Sequence, residues 1–198
     1  ADLAIELGCA RVTVNRALRT LAEIGLLDRR RKAGTRVALH PISKATLSIP
    51  LIRNEIEASG KLYGYHLLSQ RSKAAPSSVA QKFALLDHAQ LLHVVALHEA
   101  DGKPYVLENR WINDKIMPHS ENVSFAELSA NEWLLQNTPF THGDIDFSAK
   151  NASQREATLL RTKPNTALFV ISRTTWDHEK AVTMVELVFH AGHRKRTQ

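Results

Sequence analysis

The chain has 198 residues, with 26 Lys+Arg against 20 Asp+Glu, a formal charge of +6, 43% apolar and 23% charged residues. That balance suits one large or two small folded domains and excludes a disordered chain. No apolar run approaches the ~18 residues of a membrane span, no basic segment leading into an apolar stretch opens the chain, and the single cysteine, Cys9, excludes an internal disulfide framework and suits a reducing cytoplasm.

In chain order, residues 1–7 carry Leu3, Ala4 and Leu7 on one helical stripe, closed by Gly8, with a tight turn over Cys9, Ala10 and Arg11. From Val12 to Ile24 the apolar positions Val14, Ala17, Leu18, Leu21 and Ile24 give the period of an amphipathic helix, which Gly25 stops. Leu26 to Arg31 and Thr35 to Leu39 read as strands around a tip at Lys32-Ala33-Gly34. A linker over residues 41–48 separates this first domain, residues 1–40, from a second over 49–198. In the second, Leu51 to Ser59 reads as a helix ending at Gly60, Leu62 to Ser69 as a strand, and Ser77 to Ala84 as a helix with Pro76 at its start. Strands at Leu91 to Glu99 and Tyr105 to Ile112 flank an Asp101-Gly102 turn, a pair that favours a tight antiparallel connection. Ser124 to Gln136 reads as a helix, Ile145 to Ala149 as a strand, and Ser153 as the N-cap of a helix to about Arg161. Ala167 to Trp176 and Ala181 to Phe189 form a closing hairpin. Hairpins with interspersed helices imply an antiparallel α+β domain.

The first 40 residues hold eight basic side chains (Arg11, Arg16, Arg19, Arg29, Arg30, Arg31, Lys32, Arg36) and four acidic ones (Asp2, Glu6, Glu23, Asp28). A cationic patch confined to one end points to an anionic polymer as the partner of that end. A helix-turn-helix needs a small residue where its helices cross (Ala4), a glycine in the turn (Gly8) and apolar residues beneath the second helix (Val14, Ala17). The opposite face carries Thr13, Asn15, Arg16, Arg19 and Thr20, side chains suited to phosphates and base edges in a major groove, and the basic hairpin supplies a wing.

The segment ADLAIELGCARVTVNRALRTLAEIGLLDRRRKAGTRVA resembles the second half of a GntR-type winged-helix DNA-binding domain. The resemblance implies a further helix upstream, places Arg11 and Thr13 at the start of the recognition helix, and puts Gly34 and Thr35 in the wing beside Lys32 and Arg36. Asn15 stands where the family often has arginine, and Lys32 where wing tips commonly have glycine. From about residue 45 onward the chain resembles the UTRA effector-binding domain of the HutC branch, through ADGKPYVLENRWIN, SANEWL and ALFVISRTTW. LHVVALHEADGKPYVLENRWIN is similar to the histidine-utilisation repressors, whose inducer is urocanate. What the resemblance implies is a repressor that binds double-stranded operator DNA as a homodimer and is released by urocanate or a similar small acid, with no membrane partner and no cofactor. The fold of the UTRA domain is also similar to chorismate lyase, which leaves a chorismate-lyase-like enzyme as the rival reading. Another inducer within the same family is the other alternative.

Strand alternation sets Val106, Glu108 and Arg110 on one face, Leu107, Asn109 and Trp111 on the other, and Ala96 with His98 on one face of the preceding strand. The sugar-phosphate sensors of the family carry two arginines at the positions of Ala96 and His98, so their absence speaks against a phosphorylated ligand. A small acid with a ring nitrogen needs one guanidinium and one further hydrogen-bonding group. Arg110 and Arg173 are candidates for the first role, Glu108 and His98 for the second. Glu108 and Arg110 are equally the makings of an ion pair, Arg173 of a cross-hairpin pair, and His98 of a structural histidine. We expect no metal site, because the ten histidines show no helical His-x-x-x-His and there is no second cysteine. We expect no catalytic residues, since no nucleophile elbow, P-loop or dinucleotide fingerprint is present.

Overall fold

The structure, a computed structural model, describes residues 4, 6–23, 27–30, 34–37, 51–117 and 123–195. Two units divide the chain, Ala1–Ile49 and Pro50–Gln198.

In the first unit Ala4 and Glu6 are helical and Gly8 takes a φ of +60°. The Cys9 amide donates back to the Ala4 carbonyl at 3.0 Å, the bond that closes a helix through a left-handed glycine. Helix α1 (Arg11–Glu23) starts at Arg11, one residue earlier than its apolar period suggests. Its half-buried stripe is Val14, Leu18 and Ala22. Ala17 is exposed, contrary to expectation: it stands about 100° around the helix from Leu18, the centre of that stripe. Strands β1 (Leu27–Arg30) and β2 (Gly34–Val37) pair antiparallel, Leu27 opposite Val37 and Arg30 opposite Gly34. Lys32 at the expected wing tip, Gly25 and the 41–48 linker lie outside the described residues.

The second unit is built on a six-stranded antiparallel sheet of order β3-β4-β5-β8-β7-β6. Its strands are β3 (Tyr63–Ala74), β4 (Gln90–Ala100), β5 (Lys103–Ile112), β6 (His142–Asn151), β7 (Ala167–Asp177) and β8 (Lys180–Phe189). Four short helices cover it: α2 (Ile52–Ala58), α3 (Ser77–Lys82), α4 (Ala130–Asn137) and α5 (Gln154–Leu159). Alternation sorts the core by face. On one side Leu91, Val95, Leu107, Trp111, Leu168, Val170 and Val188 receive α3 (Val79, Ala80) and α5 (Ala157). On the other, Val94, Val106, Ile112, Val185, Leu187 and Phe189 receive α2 (Ile52, Ile56) and α4 (Ala130, Leu134). The α+β class and the antiparallel hairpins expected from the sequence are those observed.

Several boundaries move. The β3 strand runs on to Ala74, past a bulge between Leu67 and Ser69, because its backbone continues to pair with β4 as far as Gln90. The strand expected at Ile145 to Ala149 extends to His142–Asn151 along β7. The helix expected from Ser124 starts only at Ala130: Ser129 caps it, its hydroxyl accepting from the Glu132 amide while the Glu132 carboxylate accepts from the Ser129 amide. Phe125, inside the expected helix, is a buried loop residue. Ser153 caps α5 in the same way, but that helix ends at Leu159, before Arg161 with its φ of +51°.

After β8 the chain folds back so that the His193 ring stacks on Phe189 (4.0 Å between centroids) and Phe169, edge-on to Tyr105. Burial pushes the His193 pKa down to about 4, with His190 and Lys195 adding to the fall and Glu55 opposing it. A histidine whose folded pKa lies below its unfolded value of about 6.5 takes its proton in the unfolded chain first, so stability falls as the pH drops from about 6.5 towards 4. Replacing His193 by leucine should flatten that part of the pH–stability curve, read as midpoint denaturant concentration. An unchanged slope would show that other groups set it.

Candidate functional site

The β4–β5 hairpin turns through Asp101 (φ +52°) and Gly102 (φ +70°), the two positive φ values that a type I′ connection requires. The turn pairs Ala100 with Lys103, and a bulge between His98 and Glu99 then shifts the register by one to set Ala96 opposite Glu108 and Val94 opposite Arg110; a one-residue slip would send Glu108 and Arg110 to the other face. The face they occupy is the one covered by α2 and α4, and there all four of the expected residues, His98, Glu108, Arg110 and Arg173, come together fully buried.

Glu108 sits at the centre. Its Oε1 accepts from Arg110 Nε at 2.5 Å and its Oε2 from His98 Nε2 at 2.9 Å. Burial pushes this carboxyl up, but Arg110 and the His98 bond outweigh it and hold the group far below the usual carboxylate range. An ionised carboxylate only accepts, so His98 Nε2 carries a proton. Burial also pushes the Tyr63 hydroxyl up, keeping it protonated, and it is hydrogen-bonded with His98 Nδ1 at 2.8 Å. Arg110 further donates to Thr183 Oγ1 and to Asn131 Oδ1, each at 3.2 Å. The same Asn131 oxygen accepts from Arg173 Nη2 at 2.6 Å.

Two buried guanidinium groups thus stand by one buried carboxylate, and only Arg110 is paired with it. Arg173 is 5% exposed and has no ion pair among the described residues; neither the cross-hairpin pair nor any other forms. Burial and the neighbouring Arg110 hold its pKa well below the usual guanidinium value. Its Nε and the hydroxyl of Tyr65 are buried without a hydrogen-bond partner. Tyr65 stands opposite His98 in the sheet, with its ring edge-on to the imidazole at 5.2 Å. Such groups lose several kcal/mol of hydration each, and a carboxylate entering beside Arg173 would restore both charge balance and hydrogen bonds.

Reasoning from the sequence missed Tyr63, Tyr65, Asn131 and Thr183. Tyr63 and Tyr65 are two apart and share a strand face, a signal that alternation alone could have supplied. Asn131 lies within SANEWL but was hidden by the misplaced helix start. A separate cleft of about 480 Å³ opens on the opposite face of the sheet, lined by His93, Asn109 and Trp111 among others. There His93 Nε2 is bonded to Asn109 Oδ1 at 2.6 Å, and burial pushes the ring pKa down. Among the described residues no group of three His, Cys, Asp or Glu side chains gathers as a metal site, and no helix is long and apolar enough to cross a membrane.

In the first unit Arg11, Thr13, Asn15, Arg16 and Arg19 are all exposed along α1, as are Thr35 and Arg36 on β2, which begins at Gly34. Three arginines within nine residues of one helix, beside a cationic strand, suit a polyanion surface.

Comparison with known proteins gives a consistent picture. Residues 58–195 match the family model of the UTRA domain. The chain is 31% identical over its full length to the histidine utilization repressor of Pseudomonas putida, of which it covers 79%, and 27% identical over its full length to that of Klebsiella aerogenes, of which it covers 82%. Among solved structures, the C-terminal domain of the histidine utilization repressor from Pseudomonas syringae pv. tomato superposes with a TM-score of 0.64 at 24% identity, covering 69% of this chain and 98% of that one. PhnF from Mycobacterium smegmatis superposes with a TM-score of 0.65 at 23% identity, covering 96% and 84%.

Proposed function

Because the chain belongs to the UTRA-domain branch of the GntR-family transcription regulators, we propose that it is a cytoplasmic repressor of histidine-utilisation genes whose buried guanidinium cluster binds a small carboxylate inducer, urocanate, and thereby releases operator DNA. The observation that carries this reading is Arg173: a buried cation with an unpartnered Nε and no carboxylate of its own. The inducer carboxylate takes Arg173, with Arg110 as its neighbour. Its ring nitrogen takes the Tyr65 hydroxyl, because Glu108 and His98 are already engaged by each other, by Arg110 and by Tyr63. In this reading His98 and Glu108 shape and polarise the site rather than meeting the ring directly. For the same reason we assign no catalytic role: the acid–base pair is consumed in holding the arginine, and incubation with chorismate should yield no pyruvate.

On the DNA side, Arg11, Thr13, Asn15, Arg16 and Arg19 read the groove, with Lys32, Gly34, Thr35 and Arg36 forming the wing. A homodimer follows from the few base pairs one winged helix spans and from the two-fold symmetry of operators. Fluorescence anisotropy with a duplex from upstream of a histidine-utilisation gene tests the whole. Binding should weaken steeply with salt, and saturating urocanate should weaken it at least about tenfold, which requires ~1.4 kcal/mol of differential affinity. Operator binding indifferent to urocanate would remove the inducer assignment.

A further inference from the structure

Helix α2 is the first element after the segment joining the two units, and one side chain on it reaches both ends of the buried cluster. Arg53 Nε donates to Glu132 Oε1 at 2.7 Å, and its guanidinium lies over the Tyr63 ring, 4.3 Å from the centroid. Glu132 follows Asn131, the residue whose single oxygen holds both Arg110 and Arg173. Tyr63 bonds His98, which bonds Glu108. Two chains of contact therefore leave the cluster, one through Asn131 and α4, one through His98 and Tyr63, and both end on Arg53. The other contacts of α2 differ in kind. Ile52 and Ile56 pack on the sheet, and Glu55 is bonded to Tyr105 and Lys195.

We propose that Arg53 is the positioning residue that reports occupancy of the cluster to the segment leading to the DNA-binding unit. This rests on the effector reading above. A carboxylate at Arg173 competes for the guanidinium that Asn131 now holds, leaving Asn131 to Arg110 alone and loosening the first turn of α4, and Glu132 carries that change to Arg53. The planar guanidinium is suited to the task, because it stacks on Tyr63 and donates to Glu132 at once, a combination an ammonium does not reproduce.

The test has a ligand-free arm and a urocanate arm, both on the full chain and both read by amide hydrogen exchange of residues 52–58. Without ligand, Asn131→Ala should speed exchange in α2 at least tenfold when Arg53 is present and add nothing in an Arg53→Gln background. Additive effects would overturn the proposal. Glu132→Gln should behave as Arg53→Gln does, since glutamine at the third helical position still closes the capping box with Ser129 but gives up the charge. With urocanate, wild type should change its α2 exchange, whereas Arg53→Gln should bind urocanate within threefold of wild-type affinity by calorimetry and leave α2 exchange unmoved. An α2 response of wild-type size in Arg53→Gln would likewise overturn it. Should urocanate fail to bind wild type, the inducer assignment falls, and the ligand-free arm alone decides the role of Arg53.

Discussion

Glu108→Gln is expected to destabilise the second unit by about 3–5 kcal/mol, the cost of breaking a buried ion pair by removing one partner. Glutamine matches the glutamate in shape and still accepts one hydrogen bond from Arg110, so the loss reports charge rather than packing. Two buried guanidinium groups would then repel each other with no buried carboxylate beside them. The pH dependence carries the same information. A carboxyl held below its unfolded value contributes stability that is complete above the unfolded pKa of about 4.3 and is lost as the pH falls through the acid range. Chemical denaturation at neutral pH and at pH 3 should show the difference between wild type and Glu108→Gln shrinking with acid. A difference of under 1 kcal/mol at neutral pH would mean that Glu108 is not the counter-charge of the cluster.

Arg173→Met is expected to move stability and binding in opposite directions. Methionine follows the path of the arginine stem and removes a buried cation that has no counter-ion, so the ligand-free protein should gain about 1 kcal/mol. The same change removes the bidentate donor on which a carboxylate depends, and urocanate affinity should fall at least about a hundredfold, or ~2.7 kcal/mol. Thermal shift with and without urocanate reads both effects in one experiment. A stable variant that still shifts with urocanate would return Arg173 to a structural role. Gain of stability with loss of response is the signature of a group kept for binding at the expense of the fold.

The features of this site that were legible in the sequence are those set by short-range rules. Period-two alternation placed Glu108 and Arg110 on one face, and the Asp101-Gly102 pair announced the turn that joins their strand to β4. A serine N-cap marks a helix start, and Ser153 locates that of α5. The capping box at Ser129, with Glu132 three residues on, went unread, and the helix expected from Ser124 starts there instead. Asn131 was hidden with it. The pairing of Tyr65 with His98 depends on strand register across a bulge, which no local pattern in β3 encodes. That Arg173 would lack a counter-ion was not legible either. Sequence shows which charges exist but not which of them a fold leaves unmatched.

The tight turn at Asp101 and Gly102 also bears on the order in which the protein is made. His98, Glu108 and Arg110 lie on one local hairpin that leaves the ribosome well before β7, so the acid and its two nitrogen partners can meet early, over a short loop. Arg173 arrives later on a distant segment and must shed its water with no ion-pair partner waiting among the described residues. Under the effector reading proposed above, docking of the second hairpin is the step at which a small acid present during synthesis would do most to ease assembly.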